Sequence, residues 1–145
     1  MIVVIDTNIV SELMKPEPHG RVSSYIDALD PASIFLTSIT VAEIRYGIGR
    51  MPAGHRQARL RAAADDFFEL VGERTLAFTP DSAREYADLT VEREIIGKPI
   101  TVFDAMIAAI CREVEATLVT RNVRDFADVG LKVINPWEIP PLVAG

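Results

Sequence analysis

Short apolar runs alternate with longer helical patterns along the chain, and this alternation constrains the fold more than any other feature. The runs occupy residues 2–5, 34–37, 76–78, 117–120 and 132–134. Helical patterns lie at about 8–14, 21–29, 40–50, 55–71, 81–95 and 102–114. The runs are too short for helices and are typical of buried strands, and proline or glycine stands at most of the joins. The sequence therefore predicts an α/β protein in which helices cover both faces of a parallel sheet.

Length and composition are those of one folded domain. A chain of 145 residues with 49% hydrophobic and 25% charged residues is neither a disordered chain nor a disulfide scaffold. Its longest unbroken apolar run, residues 105–111, is far shorter than the roughly 20 residues that cross a bilayer. Asp6 closes the first apolar run and no basic segment precedes it, so we expect no signal peptide. Cys111 is the only cysteine, and we expect it to pack in the core of a cytoplasmic protein.

The overall charge is acidic. The chain has 15 basic and 21 acidic residues, which gives a net charge of −6. Taken alone, this argues against a non-specific nucleic-acid-binding protein, which usually carries a basic face. It does not exclude an enzyme that meets phosphate groups through a metal ion, because such a site needs carboxylates of its own. The positions of the acidic residues are therefore decisive.

Four acidic residues fall at the ends of predicted strands or in the first turns of predicted helices. Asp6 directly follows the first strand, where an unpaired buried charge would be costly, so it needs a metal, a cation or several N–H donors. Glu43 and Asp104 each stand three residues after a threonine, and Asp125 stands three residues after an asparagine. In an open parallel sheet we expect these positions to lie at one edge, outside the carboxyl ends of the strands, where ligands bind.

The alternative interpretation is that these carboxylates only cap helices. Thr40 and Glu43 have the spacing of a capping box, and acidic residues in a first turn suit the helix dipole. Asp81, which follows a proline, provides a comparison because we expect it to be only a first-turn acid. Two features favour a site: the helix that Asp104 opens is apolar on all sides, and four anions at one edge repel unless cations neutralise them.

The four acidic residues offer only oxygen ligands, which suits Mg²⁺ or Mn²⁺. His19 and His55 stand alone and do not have the spacing of zinc ligands. Carboxylate-bound Mg²⁺ can activate water against a phosphodiester without a nucleophilic side chain. The chain contains no nucleophile elbow, P-loop or dinucleotide-binding turn. Two other functions stay open: a non-catalytic partner-binding module, and a phosphatase-like enzyme that uses Asp6 as a covalent nucleophile, although such enzymes usually have a second Asp where Asn8 stands.

The densest basic segment lies at residues 50–61. Arg50, Arg56 and Arg59 either lie along a phosphate chain or form an ordinary solvated helix face, and a basic run alone does not decide between these alternatives. Arg121 stands beside the last of the predicted site elements, where it either contacts phosphate or balances the carboxylates.

Each of the four acidic residues lies within a longer sequence block. The blocks are Asp-Thr-Asn-Ile-Val-Ser-Glu-Leu at 6–13, Thr-Val-Ala-Glu-Ile-Arg-Tyr-Gly at 40–47, the helix start at 100–110 and Leu-Val-Thr-Arg-Asn-x-x-Asp-Phe at 118–126. Together and in this order they resemble the PIN-domain family, and more closely the VapC and FitB-like toxins of type II toxin–antitoxin systems. The likeness runs from residue 2 to about residue 137.

The resemblance implies a single-domain α/β/α sandwich with a parallel central sheet, comprising a nuclease domain at residues 1–137 and a tail at 138–145. It implies an Mg²⁺- or Mn²⁺-dependent ribonuclease that is the toxin of a toxin–antitoxin pair. The implied catalytic and metal-binding residues are Asp6, Glu43, Asp104 and Asp125. Asp6 and Asp104 match direct ligands, whereas Glu43 and Asp125 match positions that act partly through water.

The resemblance also implies supporting residues and partners. Asn8, Thr120 and Asn122 match positions that flank or orient the family site. The implied substrate is RNA, and the implied assembly is a homodimer that a small DNA-binding antitoxin neutralises. Phe103 and Met106 depart from the smaller or polar residues often found there, which affects the expected substrate preference and not the metal site.

The C-terminal tail carries apolar residues at Trp137, Ile139 and Leu142. Together with the helical patterns near 21–29 and 55–71, they either complete the core or form a partner groove or dimer face.

Overall fold

A parallel sheet forms the centre of the fold. The computed structural model describes residues 1–140, and within that range the sheet has five strands. They are β1 (Val3–Ile5), β2 (Ile34–Thr37), β3 (Thr75–Leu76), β4 (Thr117–Val119) and β5 (Val133–Ile134). Their order is β3-β2-β1-β4-β5, and every neighbouring pair is parallel. The predicted parallel sheet is confirmed, with β1 at its centre.

Six α-helices lie within the same range, one for each predicted helical pattern. They are α1 (Thr7–Leu13), α2 (Gly20–Asp27), α3 (Ser38–Gly49), α4 (His55–Val71), α5 (Pro80–Ile95) and α6 (Val102–Glu113). Short 3₁₀ helices lie at Pro31–Ser33, Val123–Phe126 and Pro136–Glu138. The predicted helix bounds differ from these by one or two residues at most.

Helix α3 begins before its predicted capping box. Strand β2 ends at Thr37 and the helix starts at the next residue, so Thr37 is the N-cap and its hydroxyl accepts from the backbone N–H of Thr40 at 3.1 Å. Thr40 lies inside the helix, and the predicted Thr40–Glu43 capping box is wrong. The strand passes into the helix without a loop, which moves Glu43 into the second turn, where it has no capping role.

Each face of the sheet carries its own apolar core, because alternate strand residues point to opposite faces. Val3 and Ile5 pack against residues from α1, α2, α3 and α4. Val4 packs on the other face against residues from α5 and α6. This three-layer arrangement confirms the predicted α/β/α sandwich.

Helix α6 is buried along most of its length, as its apolar sequence predicts. Its buried residues are Ala105, Ile107, Ala108, Ala109, Ile110 and Cys111. Burial raises the pKa of the Cys111 thiol, in agreement with a packing role. The first turn differs, because Val102 and Phe103 are exposed. Across residues 1–140, no helix is both long enough and apolar enough to cross a membrane.

Of the C-terminal apolar residues, Trp137 completes the core, whereas the role of Ile139 stays a prediction. Trp137 packs against the core on the α1–α4 side, and its carbonyl accepts a hydrogen bond from Arg21 at 3.1 Å. Ile139 instead borders a shallow apolar pocket beside Tyr25 and Leu29 of the α2 region. Leu142 lies outside the described residues.

Candidate metal centre

The candidate site lies at the carboxyl edge of the sheet, at the point where the strand order reverses. β2 and β3 extend from one side of β1, and β4 and β5 extend from the other. The crevice between β1 and β4 is therefore the switch point at which open α/β sheets bind ligands. Asp6 directly follows β1 and Thr120 directly follows β4. The backbone N–H of Asp6 donates to the carbonyl of Val119 at 2.9 Å, which holds the two strand ends together.

Asp6 is a buried carboxylate with a full set of donors around it. It is 3% exposed, and it caps α1 by accepting from the backbone N–H of Thr7 at 2.8 Å. Its other oxygen, Oδ2, accepts from the Thr120 hydroxyl at 2.7 Å and from the Asn8 amide at 3.3 Å. Burial raises the pKa of Asp6 above its ordinary value, and these three hydrogen bonds oppose that rise.

The hydrogen bonds of the Thr120 hydroxyl determine that Asp6 Oδ2 is an acceptor. The Thr120 hydroxyl accepts from the Asn8 amide at 3.2 Å and from the backbone N–H of Asn122 at 3.1 Å. A hydroxyl has two lone pairs and one proton, so its proton is left for Asp6. Asp6 is thereby held as an acceptor, the state in which a carboxylate binds a cation.

The predicted supporting residues contribute in different ways. Asn8 binds Asp6 and Thr120 through its amide nitrogen, and its amide oxygen accepts from the backbone N–H of Arg121 at 3.1 Å. Asn122 contributes its backbone N–H. Asn8 stands where a phosphatase-like enzyme would have its second Asp. Its amide instead links Asp6 to the end of β4.

Glu43 reaches the site from the second turn of α3. Its Oε1 accepts from the Thr7 hydroxyl at 2.9 Å, so Thr7 links Asp6 through its backbone to Glu43 through its side chain. Burial is the largest cause that raises the pKa of Glu43, and the charges of Asp6 and Asp104 raise it further. The Glu43 side chain is therefore positioned by its contact with Thr7 of α1, and not by a role as a helix cap.

Asp104 enters from the first turn of α6, as predicted. Its backbone N–H donates to the hydroxyl of the N-cap residue Thr101 at 3.4 Å. Burial raises the pKa of Asp104, and the charges of Asp6 and Asp125 raise it further, whereas Thr101 and Arg93 oppose the rise. The half-buried carboxylate therefore lies close enough to Asp6 and Asp125 for their charges to act on it.

Asp125 stands at the exposed rim of the site. It belongs to the 3₁₀ helix Val123–Phe126, and its backbone N–H donates to the carbonyl of Asn122 at 3.0 Å. The Asn122 side chain makes no capping hydrogen bond to this helix. The negative charge of Asp125 raises the pKa of both Asp6 and Asp104.

The charges of Asp6 and Asp104 act on Glu43, and that of Asp125 acts on Asp6 and Asp104, but the four carboxylates are not gathered into a tight cluster. Within residues 1–140, none of them forms an ion pair. In that same part of the chain, no three Asp, Glu, His or Cys side chains stand close enough together to form a ready metal-binding group. In residues 1–140, these four acidic side chains therefore stand near one edge without an ion pair that neutralises any of them.

Asp81 and the two histidines are ordinary surface groups. Asp81 lies in the first turn of α5 and pairs with Arg84 in an exposed contact, so its predicted role as a first-turn acid is confirmed. His19 caps α2 by accepting from the backbone N–H of Arg21 at 3.2 Å. His55 is exposed at the start of α4.

The predicted RNA-contacting arginines lie on two separate surfaces. Arg121 stacks on the ring of Trp137, with 4.7 Å from the guanidinium carbon to the ring centroid, and it borders a polar depression that includes Asp125. Arg50 lies 5.5 Å from the ring centroid of Tyr46 at the end of α3. Arg56 and Arg59 are exposed on α4, and their role stays a prediction.

Two arginines near the site were not singled out from the sequence. Arg124 borders the same polar depression as Arg121. Arg93 is 4% exposed, and its guanidinium donates to the backbone carbonyls of Lys98, Asp125 and Ala127. Its spacing from the buried Leu89, one helical turn earlier, is the signal that places it on the buried face of α5.

Fold and site together define an α/β protein with carboxylates at the switch point of a parallel sheet. A family model described as PIN domain matches residues 3–132. The chain belongs to the PIN-domain family, as the four sequence blocks predict.

The more particular likeness is to VapC and FitB-like proteins. The chain is 39% identical over 137 residues to VapC ribonuclease Y4jK of Sinorhizobium fredii, which covers 94% of this chain and 98% of that protein. It is 32% identical over 136 residues to toxin FitB of Neisseria gonorrhoeae, which covers 93% and 98%. The crystal structure of FitAcB from Neisseria gonorrhoeae matches with a TM-score of 0.89 and 31% identity over 95% of this chain and 100% of that chain. A structure of FitAB bound to a DNA fragment matches with a TM-score of 0.90 and 30% identity, over 98% and 100%.

Proposed function

We propose that this protein is a divalent-metal-dependent ribonuclease and the toxin of a type II toxin–antitoxin pair. The observation that carries the proposal is the convergence of Asp6, Glu43, Asp104 and Asp125 at the switch point of the sheet, where each of the first three has a raised pKa. Relatives that align over nearly the whole chain are named ribonucleases and toxins, which supports the assignment.

The four carboxylates suit Mg²⁺ or Mn²⁺. They supply oxygen donors only, which hard divalent cations prefer. They repel one another, and in the described chain no arginine or lysine forms an ion pair with them. A bound divalent ion supplies an activated water and stabilises the leaving oxygen of a phosphodiester.

Each acidic residue has a distinct part in this proposal. Asp6 is held rigidly as an acceptor by Thr120 and Asn8, so it is a direct ligand with little freedom to adjust. Asp104 is a second direct ligand on the buried helix α6. Glu43, held by the Thr7 hydroxyl, and Asp125, on the exposed rim, complete the negative charge and reach the ion partly through water.

We propose that an RNA strand crosses this edge of the sheet. Arg121 and Arg124 border the polar depression beside Asp125 and provide cations for phosphate groups on that side. Arg50, Arg56 and Arg59 extend a basic surface along the end of α3 and along α4. This arrangement offers local positive charge on a chain whose net charge is −6.

Two apolar surfaces fit the proposed protein partners. A groove beside Glu43, lined by side chains such as Met14, Ile48 and Leu60, suits an apolar segment of a cognate antitoxin. The end of α5 and the start of α6 expose Ile95 and Phe103, which suit the face of a homodimer. Similar proteins have been solved as FitAB bound to a DNA fragment and as VapBC2 from Rickettsia felis bound to a DNA fragment from their promoter, which supports a DNA-binding antitoxin. We place the nuclease domain at residues 1–137, the tail at 138–145 and the protein in the cytoplasm.

Cleavage of an end-labelled RNA pool by antitoxin-free protein tests the proposal. Reactions would contain Mg²⁺, Mn²⁺ or EDTA and would compare wild type with Asp104→Asn. Asp81→Asn is the matched control, because it removes an equivalent first-turn acid that lies outside the site. We expect cleavage with either metal, none in EDTA, a loss of at least about 100-fold in Asp104→Asn, and full activity in Asp81→Asn.

Other outcomes would redirect the assignment. Cleavage in EDTA, or equal cleavage by Asp104→Asn, would exclude the metal-carboxylate mechanism. A folded protein that neither cuts RNA nor binds Mn²⁺ would leave a non-catalytic partner-binding module. A phosphoryl group trapped on Asp6 would establish the phosphatase-like alternative.

A further inference from the structure

Arg93 is a buried arginine that contacts backbone carbonyls and no carboxylate. It lies on α5 and is 4% exposed. Its Nε donates to the carbonyl of Lys98 at 2.6 Å, and its Nη1 donates to the carbonyls of Asp125 and Ala127, each at 2.9 Å. In the part of the chain that the structure describes, Arg93 has no ion pair.

One of the three carbonyls lies in the connection that precedes the Asp104 helix, and the other two lie in the segment that contains Asp125. Lys98 lies in the connection that leads from α5 into α6, six residues before Asp104. Asp125 lies in the 3₁₀ helix Val123–Phe126, and Ala127 directly follows that helix. The planar guanidinium therefore connects the segment that precedes the Asp104 helix with the backbone at Asp125.

Within residues 1–140, Arg74 also donates to backbone carbonyls and forms no ion pair, but it is less buried than Arg93, whereas Arg112 shows the opposite arrangement. Arg112 on α6 forms ion pairs with Glu85 at 2.8 Å and Glu92 at 3.3 Å. Those contacts neutralise its charge. Arg93 is more deeply buried, and its charge is left to act on its surroundings, including Asp104. A buried charge without a counter-ion is costly, and three backbone carbonyls are the hydrogen-bond partners that the structure gives Arg93.

We infer that Arg93 is a positioning residue that fixes the two segments carrying Asp104 and Asp125. Its fork sets the spacing of these carboxylates before an ion arrives, and its charge partly offsets their repulsion. This inference rests on the proposed metal-dependent function. Arg93 touches neither substrate nor ion and acts through the carboxylates alone.

The test uses Arg93→Lys, which keeps the charge but replaces the fork by a single ammonium group. Mn²⁺ affinity would be measured by electron paramagnetic resonance on the antitoxin-free protein, beside kcat and KM for RNA cleavage. We expect Mn²⁺ affinity and kcat each to fall by about 10-fold or more, as for other residues that orient metal ligands. KM for RNA should stay within about twofold, because RNA contacts are unchanged.

Arg112→Lys is the matched control, since it makes the same change at an arginine away from the site. It should leave both Mn²⁺ affinity and kcat unchanged. If Arg93→Lys binds Mn²⁺ as tightly as wild type, or if Arg112→Lys weakens binding equally, Arg93 has no positioning role. Wild-type protein that cuts no RNA and binds no Mn²⁺ would instead refute the proposed function itself.

Arg93→Gln is the second variant, to be used if Arg93→Lys does not fold. Its amide can still donate to one of the carbonyls, and the same loss of Mn²⁺ affinity is expected. If circular dichroism shows that neither variant folds, Arg93 is a residue of general stability and the inference is wrong.

Discussion

The Thr120 hydroxyl uses its whole hydrogen-bonding capacity at the junction of β1 and β4. It donates to Asp6 and accepts from Asn8 and Asn122. Its side chain is fully buried, so no water can replace a lost partner without rearrangement. Thr120 therefore contributes both to the stability of the β1–β4 junction and to keeping Asp6 as a hydrogen-bond acceptor.

Thr120→Val should therefore damage both properties, because it keeps the shape and removes the hydroxyl. The Asn8 amide and the Asn122 N–H would lose their acceptor, and Asp6 would lose its closest donor. We expect a loss of about 1–3 kcal/mol in the free energy of unfolding and weaker Mn²⁺ binding. Urea denaturation in EDTA and Mn²⁺ titration measure the two effects. Thr120→Ser should restore most of both, and an unchanged Thr120→Val would show that the hydroxyl contacts are dispensable.

The sequence predicted where the acidic residues lie in the fold better than it predicted their contacts. Asp6 and Asp104 could be placed because a strand end and an apolar helix leave few positions for a charge. The Thr7 link to Glu43 depends on how α1 lies beside α3, which no local pattern encodes. The contacts of Arg93 depend on where two segments distant in sequence lie in the fold. From the sequence, its spacing from Leu89 indicates only that Arg93 is buried.

At the scale of elements, the end of α5 controls how the chain enters α6. The backbone N–H of Gly97 donates to Glu94 and that of Lys98 donates to Arg93, which together form a Schellman motif. Gly97 has a φ of 73°, a left-handed conformation that favours glycine. The motif aims the Lys98 carbonyl at the Arg93 guanidinium.

Gly97→Ala should strain this turn, although a Cβ would meet no neighbouring atom. We expect a loss of about 1–2 kcal/mol in the free energy of unfolding from the left-handed backbone alone. Gly20→Ala is the matched control, since Gly20 also has open space around it but has no left-handed φ. Thermal unfolding of both variants measures the difference. Equal stability of the two would show that the Gly97 turn relaxes at no cost.

The elements themselves were predictable, and their junctions were not. The strands and helices follow from apolar periodicity, so their bounds agree to within two residues. The capping box at Thr40 failed because β2 runs into α3 without a loop, and a short pattern cannot reveal a missing loop. The helix expected at Asp125 is a 3₁₀ helix of four residues, which is too short to show a helical period.

At the scale of the whole molecule, the fold gathers negative charge at one edge at the expense of its own stability. Burial and mutual repulsion raise the pKa values of Asp6, Glu43 and Asp104 above their ordinary values of 3.8, 4.5 and 3.8. For these groups the folded state binds protons more tightly than the unfolded state. Their contribution to stability is therefore greatest at low pH, and it is lost as the pH rises through the raised pKa values.

The difference between Asp104→Asn and wild type isolates this effect. In EDTA, the variant should become progressively more stable than wild type as the pH rises above about 3.8, and the gap should level off above the raised pKa of Asp104. Urea denaturation across this pH range measures the gap. Asp81→Asn should show little change, because an exposed ion pair contributes at most about 1 kcal/mol. A gap that does not change with pH would mean that the Asp104 carboxylate is not destabilised.

Metal should reverse the order of stability at neutral pH. An ion that binds only the folded state stabilises it by RT ln(1 + [L]/Kd), or about 2.7 kcal/mol at a concentration of 100 times Kd. We therefore expect Mn²⁺ to raise the melting temperature of wild type by about 5–10 °C, since 1 kcal/mol corresponds to about 2–4 °C for a chain of this size. Asp104→Asn should gain much less, and Asp81→Asn should gain as much as wild type. A site whose carboxylates destabilise the metal-free protein and stabilise the metal-bound one is built to bind an ion, whereas carboxylates that only cap helices would give no such reversal.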